Sequence, residues 1–123
     1  MTITLATLSQ ATAQEVFDQV ATHLLTQNEV SSLTERNDEG FCAYRGDNGL
    51  KCAAGCLIGE KEYSLGMEGR NWAGLIELGL VPDVHANLIQ DLQTVHDIVR
   101  GEQWREVLQE VAEDHDLTFK EPT

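Results

Sequence analysis

The chain has 123 residues, 41% of them hydrophobic, which is the size of one domain with a single core and too small for two. Its formal net charge of −13 favours solubility and disfavours contact with a phosphate backbone over most of the surface, so direct nucleic-acid binding is not expected. No apolar run reaches the roughly 18 residues needed to span a bilayer, and the N-terminus, MTITLATLSQATAQ, lacks the positive n-region and unbroken apolar stretch of a secretory signal.

The charge is unevenly spread. Residues 1–40 hold six acids against one base, residues 83–123 ten against three, and residues 41–82 five against four. Half of the eight basic residues (Arg45, Lys51, Lys61 and Arg70) therefore fall in the middle, together with all three cysteines and eight of the ten glycines; a ninth, Gly40, adjoins it. An odd number of cysteines in a chain without an export signal points to free thiols in a reducing compartment, and hence to the cytoplasm.

In chain order, residues 1–12 form an N-terminal segment. From Ala13 to Gln27, the residues Val16, Phe17, Val20, Ala21, Leu24 and Leu25 follow the i, i+3, i+4 spacing of an amphipathic helix, and Thr12 with Glu15 offers a capping box. Residues 28–40 have no period and many turn formers, as in a surface connection. FCAYR and LKCAA flank GDNG, and Asn-Gly between two short runs predicts a β-hairpin over 41–54, because both turn residues tolerate positive φ. A glycine-rich segment, 55–70, follows with a short helix at AAGCLIG. Asn71 then caps a short helix ending at Gly79 and Pro82, and Asp83 caps a longer one with the stripe Val84, Leu88, Leu92, Val95, Val99. A third stripe, Trp104, Val107, Leu108 and Val111, carries the helical region 71–117 to its end, leaving 118–123 as a tail. The expected fold is α+β: a mainly helical single domain, residues 1–123, with one β-hairpin packed on three or four helices.

Two chemical constellations deserve weighing against structural roles. Cys42, Cys52 and Cys56 with His96 would make a four-ligand zinc site, but nine and three residues separate the cysteines, whereas structural zinc draws on closely spaced pairs. The competing reading is that the cysteines are small buried hydrophobes, and on it no cofactor is needed. A catalytic thiol would require Cys42 or Cys52 beside Arg45 and Lys51, with His96 oriented by Asp97 or Asp91. Arg-Gly-Asp at 45–47 is an adhesion motif only outside the cell and is read here as turn chemistry. Neither G-x-x-x-x-G-K-[ST] nor G-x-G-x-x-G occurs, so no phosphate loop is present.

The string CAYRGDNGLKCAAGCLIGEKEY, followed by MEG and by LQTVHD, resembles a family of small, mostly uncharacterised proteins encoded by bacteriophages and bacteria. The resemblance covers residues 14–117 and rests on a C-x-Y-R…G-x-K-C-A-x-G segment, a Y…M-E-G stretch and a later L-Q-x-x-H-D. It implies a small phage or prophage protein that binds a host or host-defence protein in the bacterial cytoplasm, without catalysis. Tyr44, Arg45, Lys51, His96 and Asp97 are the binding residues expected. A ligand- or metal-binding domain or enzyme, its site lying between the hairpin and the His96–Asp97 helix, is the alternative. Self-association as a homodimer stays open.

Overall fold

The computed structural model describes residues 3–27, 44, 51–68, 70–98 and 103–119. Among them are five α-helices, α1 (Leu5–Leu8), α2 (Ala13–Gln27), α3 (Trp72–Glu77), α4 (Ala86–Ile98) and α5 (Trp104–Asp114), and two 3₁₀ turns, Gly55–Leu57 and Leu65–Met67. No described helix is long and apolar enough to cross a membrane.

Helix α2 has the predicted limits, and its cap is reciprocal. The Glu15 N–H donates to Thr12 Oγ1 at 3.1 Å and the Thr12 N–H to Glu15 Oε1 at 2.8 Å, so two N–H groups at the helix start are satisfied. Its apolar stripe buries Val16, Phe17, Val20, Ala21 and Leu24, the larger ones worth roughly 1.5–3 kcal/mol apiece. Helix α3 starts as expected, the Gly74 N–H donating to Asn71 Oδ1 at 2.8 Å. It ends in a Schellman pair: the Leu80 N–H reaches the Leu75 carbonyl at 3.0 Å and the Gly79 N–H that of Ile76 at 2.9 Å, with Gly79 at φ 73°.

Asp83 does not cap α4. That helix begins at Ala86, and the residue before it, His85, takes φ 53° while its Nε2–H donates to the Ala11 carbonyl at 2.7 Å. This cross-chain bond holds the entry to α4 against α2, and it removes His85 from the helical face it would otherwise share with His96. Helix α4 buries Leu88, Ile89, Leu92, Val95 and His96 between α2, α3 and α5. Helix α5 closes the core with Trp104, Leu108, Val111 and Ala112. Beyond α5 the chain turns at Asp116, φ 57°, and sets Phe119 edge-on to Phe17, ring centroids 5.8 Å apart. The residues expected to form a tail thus begin with a ring packed against the core. Both tryptophans are core anchors, 0–1% exposed. The indole N–H of Trp72 has no acceptor among the described residues, a cost of about 1–3 kcal/mol.

The expected hairpin is not borne out, and with it the α+β class falls: the described residues form helices and turns and no strand. Asn48-Gly49 and most of the first predicted strand lie outside the described residues. In the second, Lys51 has one bridge, after which the chain enters a helical turn, the Cys56 N–H donating to the Cys52 carbonyl at 3.1 Å. The physical reason is where the backbone groups find partners. The Lys51 N–H donates to Gln27 Oε1 at 2.9 Å and its carbonyl accepts from Gln27 Nε2 at 2.8 Å, so a side-chain amide satisfies this peptide as a strand would. The same two-way pairing joins Gln19 to Ile3, at 2.6 and 3.0 Å, and Gln14 to Thr118, at 2.9 and 2.7 Å. Three glutamines of α2 thereby dock three extended pieces of chain on one helix.

Candidate functional site

The family-like residues converge on the turn Cys52–Leu57. Its tightest point is Gly55, where an added Cβ would lie 2.1 Å from the Tyr44 carbonyl oxygen. Tyr44 crosses the turn in direct backbone contact, which ties the C-x-Y-R element to the K-C-A-x-G element and admits only glycine at 55. Tyr44 is 5% exposed; its N–H donates to Glu68 Oε1 at 2.9 Å and its hydroxyl to the Arg70 carbonyl at 2.5 Å. The second oxygen of Glu68 accepts from the Tyr63 hydroxyl at 2.5 Å. A buried carboxylate is costly unless hydrogen-bonded, and here Tyr44, Tyr63 and Glu68 satisfy one another at the junction of three chain segments. Nearby Glu62 bridges further, accepting from the N–H groups of Leu5, Ala6 and Gly59 at 2.7–2.9 Å, so it caps the first turn of α1 from the far side.

The L-Q-x-x-H-D element meets the same turn from α4. Gln93 Oε1 accepts from the Ala54 N–H at 2.9 Å, capping the 3₁₀ turn. One turn of helix further on, His96 is fully buried and stacks on Trp104, with 5.9 Å between ring centroids and 29° between planes. Lys51 lies on the other side: His23 Nε2–H donates to its carbonyl at 2.9 Å, beside the Gln27 pairing. Burial pushes the His23 pKa down, opposed by the hydrogen bond to Lys51, while the charges of Lys51 and His96 lower it further.

Of the five expected binding residues, Tyr44 and His96 are interior, Lys51 is half-buried with its peptide clamped, and Arg45 and the side chain of Asp97 lie outside the described residues. The zinc set is likewise only partly described, because Cys42 falls outside. The other two thiols serve the turn itself. Cys52 Sγ accepts the Gly55 N–H at 3.2 Å, and Cys56 Sγ donates to the Ala53 carbonyl at 3.1 Å. Burial pushes the Cys56 thiol up to about 12. A nucleophile or metal ligand needs the thiolate, which this environment opposes. No cluster of three or more His, Cys, Asp or Glu side chains fit to hold a metal occurs among the described residues.

What is accessible lies on the outer helix faces. On α5, Glu106, Glu110 and Glu113 are exposed at i, i+4, i+7, continued by exposed Asp114 and Asp116. His115, at the end of that helix, donates from Nε2 to Asp91 Oδ2 of α4 at 2.7 Å, so α4 and α5 present one acidic edge. Between α1 and the outer face of α2 runs an open groove of about 730 Å³, lined in part by Glu15, Asp18, Thr22 and Thr26. Sequence reasoning singled out nothing on the polar side of α2. The signal it passed over is composition: that side is rich in glutamine and threonine and has no lysine or arginine, an unusual choice for a face meeting only water. No family model matches the sequence, and no curated protein or solved structure matches it either.

Proposed function

We propose that the chain is a non-enzymatic binding protein of phage or prophage type that engages a basic surface of a host protein in the bacterial cytoplasm. The observation that carries this reading is the acidic stripe of α5. Glu113 and Asp114 lie in the last turn of α5, a turn without a basic residue, and the helix dipole disfavours negative charge there by about 0.3–1 kcal/mol per group. The dipole would be better served by lysine at both positions, and the fold takes from Glu113 only an exposed hydrogen bond donated by Gln109 Nε2 at 3.2 Å, so their presence fits a surface whose charge is used for recognition. Complementary charge speeds encounter and selects partners more than it adds affinity. The phage setting rests on the resemblance of the Tyr44–Lys51, Glu68 and Gln93–His96 elements to a phage-encoded family. The inward-turned thiols and His96 support binding rather than catalysis.

The test is capture from a bacterial lysate by untagged, bead-coupled protein. One partner is expected at near-stoichiometric yield in about 50 mM salt, largely lost at about 500 mM, where the screening length falls to a few ångströms. The double variant Glu113→Lys, Asp114→Lys should melt at a temperature no lower than the wild type and yet fail to capture that partner. No retained partner at low salt, or equal capture by the variant, overturns the proposal.

A further inference from the structure

The groove along α2 has a definite chemistry. From Glu15 to Gln27 it follows thirteen residues of helix, about 18 Å end to end at 1.5 Å per step, and its volume of about 730 Å³ is in the range of specific ligand sites. Its floor is pre-set: Gln19 and Gln27 already spend their amides on the backbones of Ile3 and Lys51, and His23 is tied to the Lys51 carbonyl. The recognition groups left are at the rim. At the N-terminal end stand the exposed carboxylates of Glu15 and Asp18, one oxygen of each used within α2 or its cap. Thr12 holds the Glu15 carboxyl below its usual range through its backbone N–H and hydroxyl, so it stays ionised. Towards the other end the rim is the exposed hydroxyls of Thr22 and Thr26, and no lysine or arginine among the described residues lines the groove. Ile3 and Ala11 supply apolar wall.

We infer that this groove receives an extended segment of the partner protein, with a lysine or arginine against Glu15 and Asp18 and small or apolar residues running towards Thr26. Charge complementarity sets the polarity of the segment. An extended chain rises about 3.3 Å per residue, so five or six residues fill the groove. The threonine hydroxyls are placed to serve its backbone, and the clamped floor means that little of α2 has to be ordered on binding. This inference rests on the reading of the chain as a protein binder and names the surface that would read a linear segment.

The test uses the intact protein and a fluorescein-labelled hexapeptide of two arginines followed by alanine, serine and leucine residues, with a control in which glutamates replace the arginines. Anisotropy should rise with a dissociation constant on the order of 0.1 mM, as suits so small a contact, while the glutamate peptide shows no saturable rise. Thr22→Trp, which fills the groove from an exposed position, and Asp18→Lys should each weaken binding about tenfold or more, with melting temperatures near wild type. Absence of saturation up to about 2 mM, or equal binding by either variant, overturns the inference. If the host protein is still captured by Thr22→Trp as by wild type, the groove assignment alone falls and the protein-binding reading stands. If the peptide binds and no host protein is captured, it is that reading that fails.

Discussion

Substituting Gly55 by alanine tests the packing of the Cys52–Leu57 turn against Tyr44 most severely. The new Cβ would lie 2.1, 2.9 and 3.1 Å from the Tyr44 oxygen, carbonyl carbon and Cα, all backbone atoms, whereas ordinary contact begins near 3.4 Å. Two chain segments must therefore part by more than an ångström, and neither can swing aside: Gln93 caps the turn, and the Tyr44 peptide is bonded to Glu68. Overpacking typically costs 1–3 kcal/mol, more where backbone must move, so about 3 kcal/mol is expected here. With an unfolding entropy of roughly 2.1 cal/mol/K per residue over a chain of this length, the melting temperature drops by about 12 °C. Two control glycines separate this cause from others. At Gly66 the nearest atom to a new Cβ is the Ser64 hydroxyl at 3.9 Å, and Gly66→Ala should be neutral or stabilise by about 0.4–1 kcal/mol through the unfolded chain. At Gly79 nothing lies within 4 Å but φ is 73°, so Gly79→Ala costs about 1 kcal/mol from backbone strain alone. Thermal and urea melts followed by circular dichroism give all three values. A Gly55→Ala protein melting within about 2 °C of wild type would refute the reasoning.

Other outcomes follow from the same geometry. Gln93→Ala strips the buried Ala54 N–H of its acceptor and should cost about 1–2 kcal/mol, most of it restored by Gln93→Glu, which keeps an acceptor; urea midpoints that fail to rank the three proteins in this order contradict the cap. Cys56, pushed up to about 12 from 9.0 by burial, should alkylate at pH 8 about a thousandfold more slowly than an open thiol, as mass spectrometry would record. Because that pKa is raised, its stabilising contribution is whole below the unfolded value and is lost as pH climbs from about 9 towards 12. His23 has the opposite sign: with its pKa lowered in the folded state, the unfolded chain takes up the proton first, so stability falls as pH drops below about 6.5. His23→Gln keeps a donor for the Lys51 carbonyl and should flatten this part of the profile; coincident wild-type and variant profiles between pH 7.5 and 5 would show the histidine to be irrelevant.

The elements most legible in the sequence were those governed by helical period and local caps. Helix α2 appeared with its capping box because Thr12 and Glu15 are three apart and the stripe is unbroken, and Asn71 and Gly79 marked both ends of α3 for the same local reasons. The hairpin failed because its signal, Asn-Gly between short runs, is local while the decision was tertiary. Lys51 and Ala54 found partners in Gln27 and Gln93, 24 and 39 residues away, and no pairwise spacing announces a side-chain amide standing in for a strand. The start of α4 shifted for a like reason, since His85 answers to Ala11 across 74 residues. For the site, His96 was expected as a binding residue or zinc ligand, and it is buried against Trp104. The resemblance marked Tyr44 as a binding group, but its hydroxyl and N–H both serve the interior. The groove of α2 is built from residues 3–27 and was hidden because its exposed rim, Glu15, Asp18, Thr22 and Thr26, consists of side chains that taken singly are ordinary surface residues.

The claim that binding uses the outer acidic surfaces, while the cysteine-bearing turn is structural, is tested most directly by a hydrogen-exchange footprint. Amide exchange of the free protein would be compared by mass spectrometry with that of the complex with the host protein recovered by capture. Slowed exchange in peptides spanning α2 and α5, with unchanged exchange across residues 51–68, is the predicted result. Protection concentrated at residues 51–68, with α2 and α5 exchanging as in the free protein, would contradict it.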